Sequence, residues 1–141
     1  MTNTSTANRI QSNNNVPLLT DGITASFWVK CAKATGQVIF AHPNFEFGLL
    51  NSLGYVSLTS AAGFNLSNFI TNEWNHICVI RNGTTYKLYV NGVAAPQNGA
   101  NNSYTHNASN LYLLNRSYNN NYAANASLSD FRLYATELTE A

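Results

Sequence analysis

Two amide-rich stretches of the chain combine the side-chain types that bind sugars. The candidate residues are Asn102, Tyr104, His106, Tyr118, Asn119, Asn120 and Tyr122. Tyrosine rings offer a large contact area at low entropy cost, and amides and hydroxyls add hydrogen bonds. Binding residues also concentrate on loops held by a rigid scaffold. These seven residues are therefore the predicted ligand-binding site, with packing across a subunit interface as the alternative that stays open.

The acidic residues give no catalytic pair. They are Asp21, Glu46, Glu73, Asp130, Glu137 and Glu140. Retaining glycoside hydrolysis needs two carboxylates about 5–5.5 Å apart, and no two of these residues lie at i, i+2 or i, i+4 on one predicted strand. For Glu137 and Glu140, in the terminal turn, we expect solvation. The sequence predicts a protein that is not an enzyme.

Two other kinds of site are weighed against structural roles. His76 and Cys78 lie on one face of a strand, as a cysteine–histidine nucleophile would require. We expect Cys78 to be buried as a small core hydrophobe instead. The three histidines, His42, His76 and His106, fall on different elements and form no zinc pattern. No metal ligands and no cofactor are predicted from these residues.

The elements that must position the two loops are strands. Asn82-Gly83 and Asn91-Gly92 are strong hairpin signals, because Asn-Gly supplies the positive φ angles of a tight turn. They predict an antiparallel meander of Trp74–Arg81, Tyr86–Val90 and Val93–Ala95.

A period of two marks further strands. In Ile23–Lys30, alternate residues from Ile23 to Val29 face one side and Trp28 faces the other. The remaining strand candidates are Arg9–Gln11, Gln37–Ala41, Phe45–Leu50, Gly54–Thr59, Leu111–Leu114 and Ser127–Ala135. Residues 61–72 form a looser segment whose Phe64, Leu66, Phe69 and Ile70 are expected to close the sandwich edge.

These elements predict an all-β fold. About ten short strands with almost no helical periodicity are typical of a two-sheet antiparallel β-sandwich of the jelly-roll type. Residues 1–15 form a polar N-terminal lead, and residues 16–141 form the domain.

Three segments resemble the concanavalin A-like lectin/glucanase superfamily, in its laminin G-like and pentraxin-related branch. A Trp-x-His strand that leads into a Leu-Tyr-Val-Asn-Gly hairpin is present as Trp74, His76 and Leu88–Gly92. Ile23–Lys30 is similar to the family's early core strand, and Leu128–Leu138 is similar to its closing strand. The resemblance implies a concanavalin A-like sandwich and a lectin-like binding role.

The resemblance also bears on catalysis and calcium. Relatives that cleave β-glucans carry a Glu-x-Asp-x-x-Glu strand, which this chain lacks. Laminin G-like relatives often bind Ca²⁺ at a loop rim through hard oxygen ligands. Asp21 and Asp130 are the loop-proximal aspartates, but no acidic cluster surrounds them, so a structural calcium ion is an implied option only.

The resemblance gives two single residues a structural role. His76 matches the family's strand histidine, for which it implies bonds to local backbone groups. His76-Ile77-Cys78 is similar to a pentraxin strand whose cysteine forms a disulfide. Cys31 lies several residues past the partner position, so we expect both cysteines to be reduced.

Composition limits the partners. The chain has 141 residues, 9% of them charged, and a net charge of +1, and asparagine accounts for 23. Without a basic patch, nucleic acid is not an expected partner. No run reaches the length of a membrane span, and residues 1–15 contain no apolar signal-peptide core. We therefore expect no membrane insertion.

The sequence favours a non-catalytic, lectin-like module for surface adhesion that binds a glycan or a host-surface receptor. The low charge and amide-rich surface suit display on a phage or viral particle, at the virion or extracellular surface. The alternative is a purely structural virion component, such as a fibre, spike or decoration protein. In either case other virion subunits are expected partners, and a homo-oligomer such as a trimer is an option.

Overall fold

A computed structural model describes residues 2–3, 10–12, 22–32, 36–42, 45–50, 53–56, 62–83, 85–98, 110–115 and 124–139. The strands in these ranges are β1 (Thr2–Asn3), β2 (Ile10–Gln11), β3 (Ile23–Cys31), β4 (Gln37–His42), β5 (Phe45–Leu50), β6 (Leu53–Val56), β7 (Ala62–Asn65), β8 (Trp74–Asn82), β9 (Thr85–Val90), β10 (Val93–Ala94), β11 (Gln97–Asn98), β12 (Tyr112–Leu113) and β13 (Ala126–Tyr134). Over the same ranges, no helix is long and apolar enough to cross a membrane.

The strands form two antiparallel sheets. The six-stranded sheet has the order β1-β13-β3-β8-β9-β10, and the seven-stranded sheet has the order β11-β7-β6-β5-β4-β12-β2. The two sheets pack as a sandwich, so the predicted fold class is confirmed. Strands β1 and β2 come from the polar lead and pair with β13 and β12. The domain boundary between residues 15 and 16 stays a prediction.

The core lies between the two sheets, and β3 shows why. Its side chains alternate: Phe27 and Val29 are buried and Trp28 is exposed. The Phe27 ring reaches the opposite sheet, with its centroid 5.7 Å from that of Phe40 and 5.8 Å from that of Phe47. Full burial of one such side chain contributes about 1.5–3 kcal/mol. The apolar face of β3 therefore fixes its orientation in the sandwich.

The Asn91-Gly92 turn is formed as predicted. Val90 pairs with Val93, and the φ angles are 54° at Asn91 and 78° at Gly92. Two central residues with positive φ are the mark of a type I′ hairpin, whose twist matches that of the strands.

The other hairpin differs from the prediction by one residue. Asn82 pairs with Thr85, so the central residues of the turn begin at Gly83, where φ is 57°. Asn82 therefore belongs to β8, and its side chain donates a hydrogen bond to Glu137 Oε2 at 2.6 Å. The ladder gains one more pair because a tertiary contact holds Asn82 in the strand.

That contact also corrects the expectation of a solvated Glu137. Its other carboxylate oxygen lies 3.4 Å from Lys87 Nζ. Thr24 Oγ1 donates to the carbonyl oxygen of Thr136 at 2.8 Å, and this bond also holds the C-terminal turn that contains Glu137. The C-terminal turn is thus bound to the end of the six-stranded sheet.

The segment of residues 61–72 is more regular than predicted, because it contains β7. Phe64, Leu66 and Phe69 are buried as expected. The prediction for Ile70 is wrong, since 59% of that residue is exposed. Both backbone polar groups of Ile70 bond to the side chain of Asn75, which fixes the turn with Ile70 outside.

The cysteines occupy opposite faces of the six-stranded sheet. Cys31 is buried, and burial raises the pKa of its thiol to about 12. Cys78 pairs with Ser26 on the outer face and is half-buried, so the expectation of a core position is wrong. Burial also raises the pKa of Cys78. Cys31 lies five residues beyond Ser26, or about 16 Å along the strand, which is too far for a disulfide with Cys78.

Candidate functional site

The predicted binding residues Asn102, Tyr104, His106, Tyr118, Asn119, Asn120 and Tyr122 all lie outside the described residues. Their contact with a ligand stays a prediction. The structure does show where the two segments that carry them leave and rejoin the sandwich.

The two segments attach to the seven-stranded sheet at different strands. Residues 116–123 leave and return near the first half of β4, because the Ala124 amide donates to the Leu114 carbonyl at 2.9 Å and the Leu114 amide donates to the Ile39 carbonyl at 2.8 Å. Residues 99–109 leave from the edge strand β11 and rejoin near the last residues of β4, where Tyr112 pairs with Ala41. The sequence could not separate these attachment points.

Four side chains form one block on the outer face of the six-stranded sheet, which we call the tryptophan face: the exposed Trp28, Lys30 and Trp74 and the half-buried His76. Trp28 pairs with His76, and Lys30 pairs with Trp74. Directly opposite residues of an antiparallel pair project from the same face with Cβ atoms about 4.5–5.5 Å apart. Trp28 is 41% exposed and Trp74 is 44% exposed. The centroids of the Trp28 and His76 rings are 5.3 Å apart.

Part of the tryptophan face could have been predicted from the sequence. In Ile23–Lys30, Trp28 falls on the side opposite the core residues, and a large aromatic side chain there is a signal for binding. Trp74 is the first residue of β8, and its position beside Lys30 depends on the β3–β8 register.

His76 forms a side-chain pair that the sequence did not predict. Its Nε2 lies 2.9 Å from Ser26 Oγ. The expectation that the His76 ring bonds to local backbone groups is wrong, because the ring contacts a hydroxyl group. The backbone of His76, in contrast, forms hydrogen bonds with Asn91.

The Ser26–His76 pair lacks the surroundings of a catalytic site. An activated serine needs a histidine that a third group orients, and donors that stabilise an oxyanion. In the described part of the chain, no carboxylate contacts the His76 ring. Ser26 and His76 also lie in paired strands, where the backbone amides are engaged in the ladder. The geometry supports a binding surface.

A cavity of about 270 Å³ opens at the end of the sandwich next to the tryptophan face. We call it the rim cavity. Its polar side chains are Lys30, Gln37, Asn72, Asn125 and Ser127, and Cys31, Ala32 and Ala126 complete the wall. Lys30 belongs to both the rim cavity and the tryptophan face. The segment of residues 116–123 rejoins the described chain directly before this wall.

Gln37 is the one polar wall residue that is almost fully buried, with 5% of its surface exposed. Its Nε2 lies 3.5 Å from the Ala32 carbonyl, beyond the usual range for such a bond. Its Oε1 is enclosed and accepts no hydrogen bond from the described part of the chain. An unmet buried acceptor is costly, at about 1–3 kcal/mol. The wall therefore carries an unused hydrogen-bond acceptor.

A buried asparagine holds one side of the rim cavity in place. Asn75 is fully enclosed and donates to the carbonyls of Ile70 and Glu73, while its Oδ1 accepts from Ile70 and Asn91. The neighbouring Asn72 donates its backbone amide to the Cys31 carbonyl at 3.0 Å. Asn75 thereby ties the chain before β8 to the β9–β10 turn.

The charged residues give no metal centre in the described ranges. No group of three or more His, Cys, Asp and Glu side chains comes together there. Asp130, which was considered for calcium, binds Arg132 through two bonds of 2.9 Å. This bond raises the pKa of Arg132. Asp21 lies outside the described residues.

The sequence matches the family model of the concanavalin A-like lectin/glucanases superfamily over residues 4–141. No curated protein sequence matches the chain.

Solved structures share the fold. The receptor-binding domain of the botulinum neurotoxin C/D mosaic serotype is 16% identical with a TM-score of 0.59, over 86% of this chain and 34% of that chain. The serotype D binding domain is 18% identical with a TM-score of 0.60, over 96% and 38%. A botulinum neurotoxin type C structure, described as showing that cell entry depends on two ganglioside molecules, is 19% identical with a TM-score of 0.56, over 84% and 33%. The chain thus spans about a third of each of these proteins.

Proposed function

The chain belongs to the concanavalin A-like lectin/glucanases superfamily, and from this membership we propose that it is a non-catalytic module that binds a glycan on a cell-surface receptor. The observation that carries the proposal is the tryptophan face, where Trp28 and Trp74 lie half-exposed on neighbouring strands.

The chemistry of a sugar suits this surface. One face of a pyranose ring is largely apolar, and stacking it on an indole removes apolar area from water, worth about 25 cal/mol per Å². The hydroxyl groups at the ring edge can then bond to Lys30 and to the polar wall of the rim cavity. Two exposed indoles with polar neighbours therefore offer both parts of sugar recognition without any catalytic group.

The solved structures with this fold are consistent with the proposal. Two are binding domains of botulinum neurotoxins, and a third concerns a toxin whose cell entry depends on gangliosides. The shared part is about a third of those proteins, so their glycan sites are not transferred to this chain residue by residue.

A glycan array and a cell-binding assay test the proposal. We expect the wild type to bind, and Trp28→Ala and Trp74→Ala each to lose affinity by about five- to thirtyfold, as for an aromatic hot spot of 1–2 kcal/mol. Val93→Ala, which removes an exposed apolar side chain from edge strand β10, is the matched control and keeps full affinity.

The loop residues form a second arm of the same experiment. Tyr118→Ala and Tyr122→Ala lose affinity if the segment of residues 116–123 contributes to the site. Binding that survives all four aromatic changes would move the site elsewhere on the molecule. A wild type that binds no glycan and no cell would refute the function.

An alternative function, assembly of subunits, would use the same tryptophan face. Two adjacent exposed tryptophans can also be buried between subunits, as in a structural virion component. We also propose display on a phage or viral particle, which the low charge and the abundance of asparagine support. Light scattering distinguishes the two roles: a stable homo-oligomer that Trp28→Ala dissociates, combined with no glycan binding, favours the structural role.

A further inference from the structure

The tryptophan face and the rim cavity form one continuous surface. Lys30 pairs with Trp74 on one side and with Ser127 on the other. Lys30 and Ser127 both line the cavity. A glycan stacked on the tryptophans therefore has its next sugar unit at the mouth of the cavity.

The charge of the cavity favours an anion. Among the described residues of its wall, Lys30 is the one that carries a charge. The Lys30 ammonium is exposed, and it makes no hydrogen bond or ion pair with the rest of the described chain. A carboxylate in the cavity would meet this cation without a competing acidic side chain from the wall.

Gln37 adds a second, independent demand on the ligand. Its enclosed Oε1 lacks a donor among the residues that the structure describes, and the long 3.5 Å contact to Ala32 does little to hold the amide in its present orientation. If the terminal amide turns so that Oε1 faces the cavity that Gln37 lines, a ligand hydroxyl group can donate to it. Lys30 and Gln37 together favour a ligand with an anionic group and a hydroxyl donor.

The volume sets the size of the ligand. At about 270 Å³, the cavity is smaller than the roughly 300–1,000 Å³ of sites for drug-sized molecules, so one sugar ring fills it. We propose that the rim cavity is a subsite for a single sugar that carries a carboxylate, with Lys30 binding the carboxylate and Gln37 accepting a bond from a ring hydroxyl. This inference rests on the proposed function, because it takes the ligand to be a glycan.

Titration calorimetry with matched probes tests the subsite. Glucuronic acid carries the negative charge that Lys30 would bind, and its methyl ester lacks this charge. Each is tested free and as the terminal unit of a short oligosaccharide, which separates a free sugar acid from a glycan end. We expect the acid to bind about fivefold tighter than the ester, as for one charge-assisted bond that is partly hydrated. The preference falls as salt is raised.

Two variants assign the preference to residues. Lys30→Gln loses the preference for the acid, so that acid and ester bind with equal affinity. Gln37→Met weakens both ligands, because both donate a hydroxyl to the same acceptor. Circular dichroism of each variant confirms the fold, and Val93→Ala is the control for both.

The outcomes separate the two proposals. Oligosaccharides that bind with no preference for the acid, or a preference that survives Lys30→Gln, overturn the subsite and leave the proposed function intact. Binding of free glucuronic acid alone, lost in Lys30→Gln, supports the subsite and counts against glycan recognition on the tryptophan face. If no probe and no glycan binds, both proposals are refuted.

Discussion

Replacement of Gln37 by methionine is expected to stabilise the free protein. The wild type holds Oε1 buried without a donor in the described ranges, which costs about 1–3 kcal/mol. Methionine keeps the unbranched shape and fills irregular space well, and it removes the unmet acceptor. The substitution also removes the approach of Nε2 to the Ala32 carbonyl, which at 3.5 Å is too long to stabilise the fold much. Ala32 is exposed, so water can bond to its carbonyl.

The net gain is about 1–2 kcal/mol. For a chain of this length it raises the unfolding temperature by roughly 3–8 °C. Urea unfolding of both proteins, with no ligand present, measures the free energy directly. The matched control is Asn98→Leu on exposed strand β11, which changes stability by less than about 0.5 kcal/mol. An unchanged or lower stability of Gln37→Met would show that Oε1 does find a donor, and would remove one of the two arguments for the subsite.

Two further predictions concern the backbone and the core. Gly92→Val is expected to lower the free energy of unfolding by about 1–3 kcal/mol. No atom of the described residues lies within 4 Å of the added Cβ, so the strain comes from the φ of 78°, and an unchanged urea midpoint would contradict the type I′ turn. For Cys31, the folded pKa of about 12 lies above the ordinary value of 9.0, so its contribution to stability is complete below pH 9 and is lost as pH rises from 9 to 12. Urea unfolding at pH 8 and pH 10.5 is expected to show a smaller loss for Cys31→Ala than for the wild type, whereas equal losses would mean that this thiol is not buried.

The alternation of side chains determined much of the fold from the sequence alone. Burial in β3 follows the period of two, because each residue of a strand points to the face opposite its neighbours. The Asn91-Gly92 turn was equally local, since only a few residue types adopt two successive positive φ angles. Features of this kind need no knowledge of the rest of the chain.

The tryptophan face depends on strand pairing. Trp28 and Trp74 are 46 residues apart, and they become neighbours only through the β3–β8 register. The same register placed Cys78 on the outer face opposite Ser26, against the sequence expectation. Register is a property of two strands together, so neither sequence pattern contains it.

Individual polar contacts were decided at the tertiary level as well. Asn75 organises four backbone and side-chain partners, and Gln37 leaves its acceptor unmet at the cavity wall. In the sequence both are ordinary amides among many. The partners that distinguish them lie in other segments, and a hydrogen bond depends on distance and angle that only the packed chain defines. The sequence thus determined which residues form strands and one tight turn, while packing decided which side chains meet to form the candidate site.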